Sequence, residues 1–175
     1  DDLVSRFNIE ILNKEFFQNY KNLYLRLKKY LLNDKEFKSF SIEKNIEISF
    51  FSKRLLGQII FCYFLQKKGW LGVYDKKTFG TGDKNFLRNS FLIYLKNKKN
   101  FFNDFIEFFF YEGLNKKNKN NFSEKLKIKI PYIGGGLFEF YEGYDWKKEK
   151  LNIPNSLFSN PKNDGILDVF DLYSF

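Results

Sequence analysis

Residues 54–70 read RLLGQIIFCYFLQKKGW, and from Leu55 to Leu65 nearly every face of a helix drawn through them is apolar. Such a helix cannot lie on a surface, so it belongs in the middle of a bundle. Lys67 and Lys68 then place cations at its C-terminal end, and Gly69 is suited to the left-handed residue that closes a helix. The central helix is predicted over residues 46–68, with Ile60 and Phe64 buried. Gly57 costs about 1 kcal/mol of helix propensity, which suggests close approach of a neighbouring helix backbone. Cys62, the single cysteine, reads as a core residue.

The flanking segments supply partners for this helix. Phe16, Phe17, Tyr20, Leu23, Tyr24, Leu27, Tyr30 and Leu31 recur at intervals of three and four, which predicts an amphipathic helix over 14–32. Asn13 is placed to cap it. A polar connection is expected around Asn33–Lys38, and a Gly-, Asp- and Thr-containing loop over 72–83. Further helices are predicted over 85–96 and 101–114. LKIKI at 126–130 alternates with period two and reads as a strand stopped by Pro131. Residues 151–175 read as irregular structure or short strands. The fold class is therefore mainly α, an irregular helical bundle with a less regular C-terminal segment containing short strands. Its expected divisions are an extended lead-in over 1–12, a helical body over 13–114, a basic polar connection over 115–130, and a glycine-containing appendage over 131–175.

Composition narrows the chemistry. The 175 residues include 24 Phe and 11 Tyr but no His and one Cys. That content supports a core, and it removes the commonest general base and the thiolate zinc sites. There is also no Met, so the chain is expected to be a fragment of a longer polypeptide. No signal peptide is recognisable, and charges are expected to interrupt each apolar run short of a bilayer span, so no membrane partner and a cytoplasmic, reducing compartment are expected. The net charge of +9 is uneven: an excess of positive charge through residue 130 gives way to a net negative segment afterwards. Any nucleic-acid contact is expected on the first 130 residues. Arg is confined to Arg6, Arg26, Arg54 and Arg88, which suits diffuse phosphate attraction better than bidentate reading of bases.

The candidate phosphate contacts are Lys67 and Lys68, Lys76 and Lys77, Lys96, Lys98 and Lys99, and Lys116, Lys117 and Lys119. All fall at predicted helix ends or loops, where solvation of an aromatic core would serve equally well. Acidic groupings are the other candidate for chemistry, because carboxylates and a Lys can build a magnesium nuclease site without His. Asp104 with Glu107, Glu139 with Glu142, and Asp164, Asp168 and Asp171 qualify by proximity alone. None carries a recognisable nuclease spacing. YIGGGLF at 132–138 lacks the order of a phosphate-cradling loop and reads as a turn.

Five segments in order carry a resemblance. FNIEILNKEFFQNYKNLYLRLKK (7–29), FSKRLLGQIIFCYFLQKKGWLGV (51–73), NFFNDFIEFFFYEGLN (100–115), IPYIGGGLFE (130–139) and ILDVFDLYSF (166–175) resemble the helical region preceding the N6-adenine methyltransferase domain of type IIG and IIS restriction–modification enzymes. The resemblance implies a parent that transfers a methyl group from S-adenosylmethionine to adenine N6 in double-stranded DNA and that can also carry a magnesium-dependent endonuclease. The family's cofactor loop and its N/D-P-P-Y/F motif lie downstream of this region. Asn160–Asp164, NPKND, departs from that motif at Lys162 and lacks its aromatic. No catalytic, cofactor-binding or metal-binding residue carries over. The implied role is a noncatalytic helical connector, with S-adenosylmethionine and magnesium belonging to the parent, and with the upstream nuclease and downstream methyltransferase as partners. The alternative is a protein-interaction scaffold without DNA contact, docking through the aromatic surfaces of the first and fourth helices.

Overall fold

The apolar stretch forms the helix its composition demands, α3 (Ile48–Lys67), in a computed structural model that describes Leu3, residues 14–173 and Phe175. Every residue from Gln58 to Gln66 is buried. The helix ends in a Schellman turn: the Trp70 N–H donates to the Leu65 carbonyl at 3.0 Å and the Gly69 N–H to the Gln66 carbonyl at 2.9 Å. Gly69 takes φ +74° there, a conformation that disfavours any side chain. At Gly57 the expectation fails. Among the described residues a Cβ built on it meets nothing within 4 Å, so no described helix backbone approaches it. Lys53, Arg54 and Lys67 interrupt the apolar run of α3, yet among the described residues the helix is long and apolar enough to cross a membrane by length and composition; 72% of its apolar window is buried inside the protein.

Contacts divide the chain into two compact units, with the boundary between Phe64 and Leu65. The first comprises the described residues up to Phe64 together with Ser156–Phe175. Its α1 (Lys14–Asn33) buries Phe16, Leu23, Leu27 and Leu31 at helical spacing, while Phe17 of the predicted stripe faces solvent. The polar connection expected at Asn33–Lys38 is instead almost entirely helical. Asp34 caps α2 (Lys35–Glu43) by accepting the Phe37 N–H at 2.8 Å, and the Phe37 ring anchors the helix against Phe51 at 4.9 Å. The C-terminal stretch, expected as irregular structure or strands, contains a short 3₁₀ turn (Asn155–Leu157) and the helix α6 (Ile166–Phe170). Phe16, Tyr63, Phe170 and Phe175 form one ring cluster with centroid separations of 5.4 to 6.1 Å. The Tyr63 hydroxyl donates to Asp171 at 2.6 Å. The lead-in over 1–12 and the Asn13 cap lie outside the described residues apart from Leu3.

The second unit is Leu65–Asn155. The helical body predicted over 13–114 is thus shared between two units, because tertiary contacts of the C-terminal segment, invisible to a linear reading, group Ser156–Phe175 with the earlier helices. Here α4 (Phe86–Lys96) starts where the Gln66 side chain accepts the Leu87 N–H at 3.1 Å. The next helix, α5, covers residues 101–114, as predicted, but most of it is wound as π-helix, over Phe102–Ile106 and Phe109–Leu114. It is buried on almost every side. Phe101, Phe105 and Phe109 stack along it at 5.1 and 5.3 Å, and Phe91 and Phe86 pack against this ladder. Its first turn is capped by side chains: Asp104 accepts the Asn100 N–H, Asn155 the Phe101 N–H and Asn100 the Asn103 N–H, each at 2.8 Å.

The predicted strand is present in miniature. β1 (Phe122–Ser123) pairs antiparallel with β2 (Ile128–Lys129), with Phe122 opposite Lys129 and Ser123 opposite Ile128, and Val73 bridges to Lys129. The protein is mainly α, a helical bundle carrying this short two-stranded sheet.

Candidate nucleic-acid interface

The ten lysines singled out from the sequence are all exposed, but they do not form one surface patch. Lys67 and Lys68 stand at the end of α3, and the Lys67 carbonyl accepts from Lys84 Nζ at 2.5 Å. Lys76 and Lys77 occupy the following loop, where Lys129 Nζ donates to the Lys77 carbonyl at 2.8 Å. Lys96 and Lys98 lie at the end of α4, and Lys117 holds its ammonium 5.2 Å from the Tyr132 ring centroid. None of these seven lines the cleft described next.

Lys99 and Lys116 do line it. They meet Lys125, Lys147 and Lys150 around a cleft of about 550 Å³ whose other walls include Tyr94, Phe108 and Trp146. Lys119 lines a neighbouring cleft of about 710 Å³ that shares Phe108, Glu112 and Lys125 with the first. Glu112 is the anionic centre of the smaller cleft. It pairs with Lys147 at 2.8 Å and Lys116 at 3.1 Å, and these hydrogen bonds, that of Lys147 foremost, hold its carboxyl below the usual range. Lys125 instead sits 4.1 Å from the Phe108 ring centroid. Among the described residues, Lys99, Lys125 and Lys150 make no ion pair. Sequence reading missed Lys125, Lys147 and Lys150. The run KKEK at 147–150 was the available signal, hidden inside a segment whose net charge is negative, and its lysines extend the basic surface beyond residue 130.

The acidic groupings do not converge on a metal. Among the described residues no group of three or more His, Cys, Asp or Glu could hold an ion. Asp104 caps α5. Asp164 pairs with Arg26 at 3.7 Å, Asp168 accepts from the Asn160 and Gly165 N–H groups at 3.1 Å each, and Asp171 accepts from Tyr63. Glu139 and Glu142 are exposed. These residues therefore do not fit a magnesium site. The glycines of 134–136 make a turn, with φ near +85° at Gly135 and Gly136, and no helix follows at once to cradle a phosphate.

Glu107 has the most unusual environment. It is fully buried in the middle of α5; its Oε2 accepts from the Tyr144 hydroxyl at 2.6 Å, while Oε1 has no partner among the described residues. Burial, opposed by the Tyr144 hydrogen bond and by Lys150 and reinforced by Asp104, raises its pKa from 4.5 to about 8. A carboxyl in that state is neutral at pH 7, and neutrality removes most of the cost of burying it. The Tyr144 hydroxyl is pushed up as well, chiefly by burial. One turn earlier, Asn103 lines the lysine cleft, and its buried Oδ1 also lacks a partner among the described residues.

No protein-family model matches the chain, no curated protein matches it, and no solved structure matches it.

Proposed function

We propose that this chain is a noncatalytic helical connector of a DNA restriction–modification enzyme and that it touches the DNA backbone through the lysine cleft of its second unit. The parent would carry out methyl transfer from S-adenosylmethionine to adenine N6, and any magnesium-dependent cleavage, in domains on either side. The observation that carries the DNA contact is convergence: five lysines from four separate stretches of sequence line one cleft that holds only two carboxylates, Asp104 and Glu112. Three of those lysines, Lys99, Lys125 and Lys150, make no ion pair among the described residues. Ammonium groups on flexible stems suit phosphates as point charges and do not require a defined base sequence. The connector role itself rests on the five ordered segments that resemble the family.

Charge reversal tests the reading. Replacing Lys99, Lys125 and Lys150 by Glu should abolish duplex binding at low salt, while the same change at Lys67, Lys68 and Lys96 should weaken it only modestly. Equal loss from both sets would mean that net charge and not the cleft governs binding. The wild-type chain, supplied with duplex DNA, S-adenosylmethionine and magnesium, should neither methylate nor cleave; turnover of either kind would contradict the noncatalytic assignment.

The scaffold reading has one observation in its favour. Phe17, Leu25 and Leu32 are exposed on α1 at separations of eight and seven residues, about two turns each, which places them on the same side of the helix. The aromatic surface of α5, the other face expected to dock a partner, is buried within its own unit and does not serve.

A further inference from the structure

The lysine cleft contains more than positive charge. Lys99, Lys125 and Lys150 offer ammonium groups that make no ion pair among the described residues, and Trp146, Phe108 and Tyr94 supply aromatic walls. Asn103 adds an acceptor: the residue lines the cleft and is 8% exposed, and its buried Oδ1 has no hydrogen-bond donor among the described residues. A buried amide oxygen left without a donor is unfavourable, so it favours any ligand that brings an N–H to it. A phosphate alone has none to give. A paired base keeps one amino N–H free in a groove, but only a base out of its pair can enter a cleft walled by aromatic rings. The chemistry that meets all three features is an anionic phosphate joined to a planar ring bearing an N–H donor, and about 550 Å³ is ample for one such unit.

We infer that this cleft binds a single unpaired nucleotide, its phosphate against Lys99, Lys125 and Lys150 and its base edge donating to Asn103 Oδ1. The inference goes beyond backbone contact with duplex DNA, because it requires a base out of pairing. The nucleotide can come from free nucleoside triphosphate or from a single-stranded end, and the two sources share this chemistry.

Trp146 provides the readout. With Trp70→Phe it becomes the only tryptophan, and its emission is followed while ATP, inorganic tripolyphosphate, or a short single-stranded oligodeoxynucleotide is added. Saturable quenching is expected from ATP, from the single strand, or from both, at least tenfold tighter than from tripolyphosphate. A response to ATP assigns a free nucleotide, and a response to the strand alone assigns a nucleotide within a chain. Asn103→Ala should remove the preference over tripolyphosphate, and Lys150→Gln, on the exposed rim, should weaken all ligands. Equal affinity of the wild-type cleft for tripolyphosphate and the base-containing ligands would overturn the inference, even if Asn103→Ala failed to fold. So would the absence of saturable quenching by either nucleotide source. A parallel duplex titration keeps the two readings separate, since duplex binding with no nucleotide response would defeat this inference and leave the connector reading standing.

Discussion

Glu107→Gln should convert a pH-dependent stability into a flat one. In the unfolded chain this carboxyl titrates near 4.5, whereas in the folded protein it holds its proton up to about 8. Below pH 4.5 both states are protonated and the group has no effect on folding. Between 4.5 and 8 the unfolded state releases a proton that the folded state keeps, so stability falls as pH rises, at about 1.4 kcal/mol per pH unit. The loss reaches roughly 3 kcal/mol at pH 7 and levels off near 5 kcal/mol above pH 8. Gln is close in shape and its carbonyl can still accept from Tyr144, but its amide brings a donor to a place where Oε1 has no partner, at a cost of about 1 kcal/mol. The stability curves should therefore cross: wild type is more stable near pH 4, and the variant by a few kcal/mol at pH 8. Urea denaturation at a series of pH values measures this. Trp70 and Trp146 both lie in the second unit with Glu107, so tryptophan emission follows the unit concerned. Curves that run parallel from pH 4 to 9 would refute the buried neutral carboxyl, and a wild type that gains stability relative to the variant as pH rises would reverse its sign.

Other substitutions test the packing. Gly57→Ala should stabilise by about 0.5–1 kcal/mol, because the helix gains propensity and the new methyl meets open space; a loss would place an unseen neighbour there. Gly165→Ala should do the opposite, since its Cβ would lie 2.5 Å from the Phe158 carbonyl carbon, and an unchanged melting temperature would rule out that close approach. Ile60→Ala should cost about 2–5 kcal/mol in chemical denaturation, and a near-zero change would expel Ile60 from the core. Asn155→Ala removes an acceptor for the Phe101 N–H and a donor to the Lys99 carbonyl, so it should cost about 1–2 kcal/mol; the cap would be unimportant if the unfolding midpoint stayed fixed.

How much of this was legible in the sequence depends on whether the governing forces were local. The α1 and α3 patterns were readable because one-sided and all-round burial leave different periodicities, and Lys67, Lys68 and Gly69 marked a terminus by local chemistry. The α2 helix was missed although Asp34 and Phe37 were a cap and an anchor, since Lys and Glu around them dominate the average. The π winding of α5 leaves no period to read: apolar side chains occupy nearly every face, and the ring ladder through Phe101, Phe105 and Phe109 is a packing outcome. The candidate site was half legible. Lys99 and Lys116 were marked by clustering, but their convergence with Lys125, Lys147 and Lys150 is a product of the tertiary fold. Glu107 was singled out as a possible metal ligand for its proximity to Asp104, and burial gave it the opposite character, a carboxyl that keeps its proton.

The central claim is phosphate contact at the cleft, and the salt dependence of duplex binding tests it most directly. Each phosphate neutralised contributes a slope of about −0.9 in log affinity against log salt. With the cleft's three unpaired lysines engaged, the wild-type slope should be at least about −2.7, and replacing Lys99, Lys125 and Lys150 by Gln should reduce its magnitude by about that amount. Absence of duplex binding at low salt, or a slope the triple substitution leaves unchanged, would contradict the account.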